Sequence, residues 1–137
     1  MSKKVNAPSK ILIGEDDIDD QEILSDIIKD LNKPVELHFA DTGMKLIHTL
    51  SEMAGANLPC LILLDYNMPE LTGEEILKRI NSNRHFANIP KVVWSTSGAV
   101  NYKERCINAG ALDYLVKPTT IQSLKDMLIY ILSICSL

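Results

Sequence analysis

The chain carries no surplus of positive charge: 14 Lys and Arg against 18 Asp and Glu give a formal net charge of -4 over 137 residues. A surface built for nucleic-acid phosphates would show a basic helix face or a Lys/Arg excess, so nucleic acid is not expected as a direct partner. Cysteine is scarce and unpatterned. Cys60, Cys106 and Cys135 form no CxxC or Cys/His ligand spacing, and each sits inside an apolar stretch. They read as reduced core thiols, which points to a cytoplasmic location. No export signal is expected either, because the basic start Met1-Ser2-Lys3-Lys4 is followed by an apolar run that Glu15 soon breaks. No run is long enough for a membrane: the apolar tail Met127 to Leu137 offers about 11 residues where a spanning helix needs ~20. That tail fits core packing first and a homodimer contact through the last helix second. His38, His48 and His85 share no ligand spacing and read as surface or strand residues. Repeats, low-complexity segments and internal linkers are absent. Residues 1–9 are expected to be a loose leader and residues 10–135 a single domain, with no output domain after it.

What is present is alternation. At 46% hydrophobic content the chain can build a core without staples. Strand-like apolar runs recur at residues 10–14, 34–39, 60–64, 90–95 and 113–116, with helical periodicity between them. That is the pattern of a parallel sheet with crossover helices, an α/β three-layer sandwich. In the first helix Ile23, Leu24, Ile27, Ile28 and Leu31 repeat at helical spacing, with Asp26, Lys29 and Asp30 on the wet side. A second helix spans about 43–54, with Gly55 and Pro59 beyond it. Thr72-Gly73-Glu74-Glu75 has the form of a capping box at the start of a third. A fourth runs from Asn101 to Ala109 and stops at Gly110. Thr119 or Thr120 starts the last, with Ile121, Leu124, Leu128 and Ile131 or Leu132 on its buried side. The middle strands Leu61-Leu64 and Val92-Val93-Trp94 are apolar throughout, as befits strands covered on both faces.

The polar residues that follow the strands carry the chemistry. Five acids, Glu15, Asp16, Asp17, Asp19 and Asp20, follow the first strand, and Asp65 and Asn67 follow the third. Ser95 and Thr96 follow the fourth, and Lys117 and Pro118 the fifth. Parallel strands open their C-terminal ends on one crevice, so these groups are expected to converge. Oxygens gathered there would suit a hard cation such as Mg²⁺. Asp65 is the candidate nucleophile: a carboxylate can take a phosphoryl group as an acyl phosphate if charge on the transferring oxygens is neutralised. Glu15 and Asp16 would hold the ion, Ser95 would donate its O–H, and Lys117 would supply the positive charge. Asp19 and Asp20 read instead as acids favouring the positive end of the first helix. Asp17 is either a ligand or a surface charge.

These residues give the chain its resemblance. Glu15-Asp16, Asp65-Tyr66-Asn67-Met68-Pro69 with Gly73, Ser95-Thr96 and Tyr114-Leu115-Val116-Lys117-Pro118 resemble, in order and spacing, the motifs of response-regulator receiver domains, especially the stand-alone chemotaxis type. The resemblance covers residues 10 to 135. It implies a flavodoxin-like five-stranded parallel sheet of order 2-1-3-4-5. It also implies phosphoryl transfer to Asp65 from a sensor histidine kinase or a histidine phosphotransfer protein, with Mg²⁺ held by Asp16, Asp65 and the backbone carbonyl of Asn67. The same likeness implies that Lys117-Pro118 is often cis. Ser95 would move toward the phosphoryl group and Tyr114 would turn inward, reshaping the face of the fourth helix, fifth strand and fifth helix for an unidentified protein target. The chain departs from the usual pattern with Ser95 in place of Thr, Thr96 in place of a small residue, and Thr119 in place of an aromatic.

Three other readings compete. A small-substrate phosphatase forming an aspartyl-phosphate commonly needs a second acid two residues on, where this chain has Asn67, which cannot exchange protons. A flavodoxin-like carrier would need hydroxyls or glycines in the first loop, where Glu15-Asp16-Asp17 would repel phosphate. A degenerate receiver binding partners without phosphate stays open. The switch reading makes the protein a signalling module, with at most self-phosphorylation and self-dephosphorylation.

Overall fold

The computed structural model describes residues 8–53 and 55–137. Its elements alternate along the chain as β1 (Ser9–Gly14), α1 (Ile18–Leu31), β2 (Val35–Ala40), α2 (Gly43–Glu52), β3 (Leu61–Asp65), α3 (Gly73–Asn81), β4 (Lys91–Ser95), α4 (Val100–Asn108), β5 (Asp113–Val116) and α5 (Ile121–Ile134). The five strands form one parallel sheet in the order β2-β1-β3-β4-β5. Most of the expected leader lies outside the described residues, and Ser9 already belongs to β1.

The pleat of the sheet sorts its side chains into two cores, because successive residues of a strand face opposite sides. Leu61 and Leu63 of β3 join Ile11, Ile13, Val92 and Trp94 beneath α1 and α5, which add Leu24, Ile27, Leu128 and Ile131. Ile62 and Leu64 point the other way with Leu12 and Val93, and meet Leu46, Leu50, Ile76, Leu77 and Cys106 from α2, α3 and α4. Every residue of β3 and β4 is buried, as expected of strands sandwiched between helices. One expected core residue is not there: Ile121, in the first turn of α5, is 62% exposed.

The helix starts are chemically distinct. Asp17 caps α1 by accepting the N–H groups of Asp19 and Asp20, which assigns the acid whose role the sequence left open. Thr42 caps α2, Thr120 caps α5, and Thr72 with Glu75 forms the anticipated capping box of α3. Among the described helices only α4 begins on a residue without a capping side chain, Ala99, and Cys106 is its one buried residue. Gly73 permits a close approach at the start of α3. A Cβ there would lie 3.0 Å from the backbone of Tyr66, whose carbonyl accepts the Gly73 N–H at 2.8 Å.

Two cysteines depart from the expectation of reduced thiols. Cys60, just before β3, and Cys135, just after α5, are joined in a disulfide across 75 residues, while Cys106 is free and buried. No local pattern announces this pair, because only the packing of α5 against the sheet brings its two ends together. The cytoplasmic reading loses its premise with the pairing. No helix among the described residues is long and apolar enough to cross a membrane.

Candidate metal and phosphoryl site

The C-terminal edge of the sheet gathers the acids. Glu15 follows β1 directly and is fully buried; its backbone N–H donates to the Ala40 carbonyl, and its carbonyl accepts the Gln21 amide at 2.7 Å. Asp65, the last residue of β3, is 7% exposed and lies in register with Trp94. Asp16 is exposed at the rim. One carboxylate oxygen from each of Glu15, Asp16 and Asp65 falls within 4.8 Å of the others. An all-oxygen set with no His or Cys fits a hard divalent cation and suits softer metals poorly.

Lys117, the first residue past β5, reaches across the sheet edge into this cluster. Its Nζ lies 2.8 Å from Asp65 Oδ2, 2.9 Å from Glu15 Oε1 and 3.0 Å from Asp20 Oδ2, so all three ammonium protons meet carboxylates. Burial alone would favour the neutral amine, but the bonds from Asp65, Glu15 and Asp20 outweigh it and hold Lys117 above the ordinary lysine range. Glu15 shows the opposite balance. Its burial pushes the carboxyl up from 4.5 to about 7, helped by the nearby charge of Asp65 and opposed by hydrogen bonds from Lys117 and the Asp17 N–H. A reluctant carboxylate of this kind gains from a bound cation, a second reason why the residues present fit the ion.

Asp20 stands in the first turn of α1 as expected for an acid at a helix N-terminus, and its side chain also grips Lys117. A helix that starts after Asp17 turns Asp20 back over the sheet edge, a placement fixed by where α1 begins. Away from the site, Lys91 is 1% exposed at the start of β4, and its Nζ donates to Asn81 Oδ1, the Phe86 carbonyl and the Ala87 carbonyl at 2.6–3.0 Å.

The remaining candidates form a second group. Ser95 is buried, and its Oγ accepts the Ser97 N–H at 3.2 Å. Tyr114 is buried in β5, and its hydroxyl donates to the Ser97 carbonyl at 2.6 Å. Thr96 between them is exposed and joins neither bond. The Asn67 N–H donates to Asp65 Oδ1 at 3.0 Å, which fixes that carboxylate from the loop side. Tyr66 stacks on Tyr102 of α4, ring centroids 4.7 Å apart, linking the loop after Asp65 to that helix. The Lys117–Pro118 bond is trans, like every described peptide bond, so the cis form implied by the resemblance is not adopted. The Lys117 N–H instead donates to the Ser95 carbonyl at 2.8 Å, tying β5 to β4 beside the site.

An acidic triad at the end of a 2-1-3-4-5 parallel sheet, with a lysine just after the last strand, defines a class that comparison with known proteins identifies. The response regulator receiver domain family matches residues 11–129, and the chain belongs to that family. Over 112 residues it is 30% identical to the two-component response regulator ORR11 of Oryza sativa subsp. indica, covering 82% of this chain and 73% of that one. The phosphorylated cyanobacterial phytochrome response regulator RcpA superposes with a TM-score of 0.82 at 30% identity, covering 91% of each chain. The Mn²⁺-bound form of the response regulator Rcp1 gives a TM-score of 0.77 at 28% identity, covering 90% of this chain and 91% of that one.

Proposed function

We propose that this chain is a phosphorylation-dependent switch of a two-component phosphorelay, with Asp65 as phosphoacceptor. The supporting observation is the placement of Lys117 Nζ 2.8 Å from Asp65 Oδ2 beside the Glu15 and Asp16 carboxylates. An Asp65 oxygen attacks phosphorus, and the phosphorus–nitrogen bond of a donor phosphohistidine breaks. Its electron pair returns to the imidazole, leaving an acyl phosphate on Asp65. The donor is a sensor histidine kinase or a histidine phosphotransfer protein.

Glu15, Asp16, Asp65 and the Asn67 carbonyl would hold Mg²⁺, which offsets charge on the transferring oxygens when bound. Lys117 turns an N–H from a carboxylate to a phosphoryl oxygen; Asp20, with its side chain 32% exposed, is the partner most readily released to water. Ser95 gives up the Ser97 N–H and donates its hydroxyl to the phosphoryl group, with Thr96 at the rim. Tyr114 and the segment from Ser95 to Ala99 then reset α4, β5 and α5 for a protein target. Pro118 and Gly73 hold the two loops that carry Lys117 and Asp65.

The phosphatase alternative is disfavoured because Asn67 offers no second acid. In the test, acetyl phosphate with Mg²⁺ labels the protein and Asp65→Asn abolishes the label while the fold survives. Beryllofluoride with Mg²⁺ shifts resonances around Ser95 and Tyr114. Label persisting on another residue would reject the assignment, and labelling at Asp65 without any shift at Ser95 or Tyr114 would leave an acceptor that is not a switch.

A further inference from the structure

Trp94 is the chain's single tryptophan and sits at the end of β4, one residue before Ser95. It is 2% exposed, and its indole N–H is buried without a hydrogen-bond partner. A leucine would fill apolar volume beneath α1 and α5 without burying that unpaired donor. What the indole adds is a π face. Lys117 Nζ stands 4.6 Å from the centre of the ring, within the range in which a cation is drawn to the negative face of an aromatic, tryptophan being the strongest.

The ammonium is therefore enclosed by Glu15, Asp20 and Asp65 through its three donors, and by the Trp94 ring. Beside it lies a cavity of about 150 Å³ lined by Asp20, Ile23, Trp94, Lys117, Pro118 and Leu124 among others. A smaller residue at position 94 would enlarge the space into which the lysine can withdraw from Asp65.

We propose that Trp94 is a positioning residue: its indole face holds the Lys117 ammonium at Asp65, so that one N–H can pass to the incoming phosphoryl group without the lysine leaving the site. This rests on the reading of Asp65 as phosphoacceptor. The ring touches no reacting atom and acts only through the lysine.

Because the chain has one tryptophan, growth on fluorinated tryptophans alters position 94 alone and weakens the π face in steps while nearly preserving shape. The labelling rate with acetyl phosphate and Mg²⁺ is expected to fall stepwise with each added fluorine, to about tenfold at the most fluorinated ring, with the melting temperature held. Trp94→Phe retains part of the rate and Trp94→Leu loses most of it. In the unlabelled protein the Lys117 ε-methylene protons resonate upfield from the ring current, and this shift disappears in Trp94→Leu. A protein that labels on Asp65 but whose rate is flat across the fluorinated series, or whose Lys117 protons show no upfield shift before labelling, overturns the role of Trp94 alone. Failure of the unsubstituted protein to label on Asp65 overturns the phosphoacceptor reading, and this proposal with it.

Discussion

The Tyr114 hydroxyl donates to the Ser97 carbonyl at 2.6 Å, while the N–H of the same Ser97 donates to Ser95. One peptide segment thus ties the strand-end hydroxyl to the buried aromatic of β5. If Ser95 gives up the Ser97 N–H and donates its hydroxyl elsewhere, the anchor of Tyr114 is loosened with it. Tyr114→Phe is expected to cost about 1 kcal/mol, the typical net value of one hydrogen bond. In that variant labelling of Asp65 is retained, but beryllofluoride-induced shifts in α4 shrink. Urea melts and NMR titrations check both outcomes; unaltered α4 shifts would exclude Tyr114 from the coupling.

Lys117→Met strips the ammonium from Glu15 and Asp65, both buried. Leaving such acids unpaired should cost about 3 kcal/mol. Mg²⁺ should recover part of that loss, so that its stabilising effect on melting temperature exceeds that seen with Lys117 in place. Differential scanning calorimetry with and without MgCl₂ measures this. Equal Mg²⁺ effects in the two proteins would mean that the acids do not share the ion.

Lys91 gives a pH dependence remote from the site. Burial pushes its ammonium down from 10.5 to about 8, although three acceptors match its three N–H donors and keep it charged at neutral pH. Between about 8 and 10.5 the unfolded chain binds more protons at this lysine than the folded one. Its contribution to stability therefore rises with pH across that window, by at most about 1.4 kcal/mol per pH unit. Urea denaturation from pH 7.5 to 10.5 should show that rise, and Lys91→Met should remove it; identical slopes in both proteins would contradict the assignment.

The Cys60–Cys135 disulfide closes a long loop, which in the chain-entropy account stabilises the fold by about 4 kcal/mol. Reduction with dithiothreitol, or Cys60→Ser, should lower the melting temperature while leaving Asp65 labelling unchanged. Thiol titration checks the premise: one reactive thiol after denaturation in the absence of reductant, three after reduction.

Much of this architecture was legible because parallel topology is a strong constraint. Apolar runs alternating with helical periodicity imply strands whose C-terminal ends share an edge, and Glu15, Asp16, Asp65 and Lys117 do meet there. The residues that escaped notice depend on distances no local pattern encodes. Asp20 reaches Lys117 only because α1 starts where Asp17 caps it. Cys60 and Cys135 meet through the packing of α5 against the sheet. Lys91 looks like a strand-end charge until the turn after α3 wraps its acceptors around it. Ile121 fits the helical period of α5 but belongs to a first turn that projects past the core.

Rigidity is unevenly distributed among the helices. α1, α2, α3 and α5 are each fastened at their first turn by an oxygen-bearing side chain, whereas α4 starts on Ala99 and holds a single buried sulfur. A helix start without a capping side chain costs less to unwind and to rewind than a capped one. On the switch reading, the opening turn of α4 is therefore the part of the scaffold expected to yield first to a shift of the neighbouring Ser97 segment, so that a small local event would have a large, cheaply reversible effect on the outer surface.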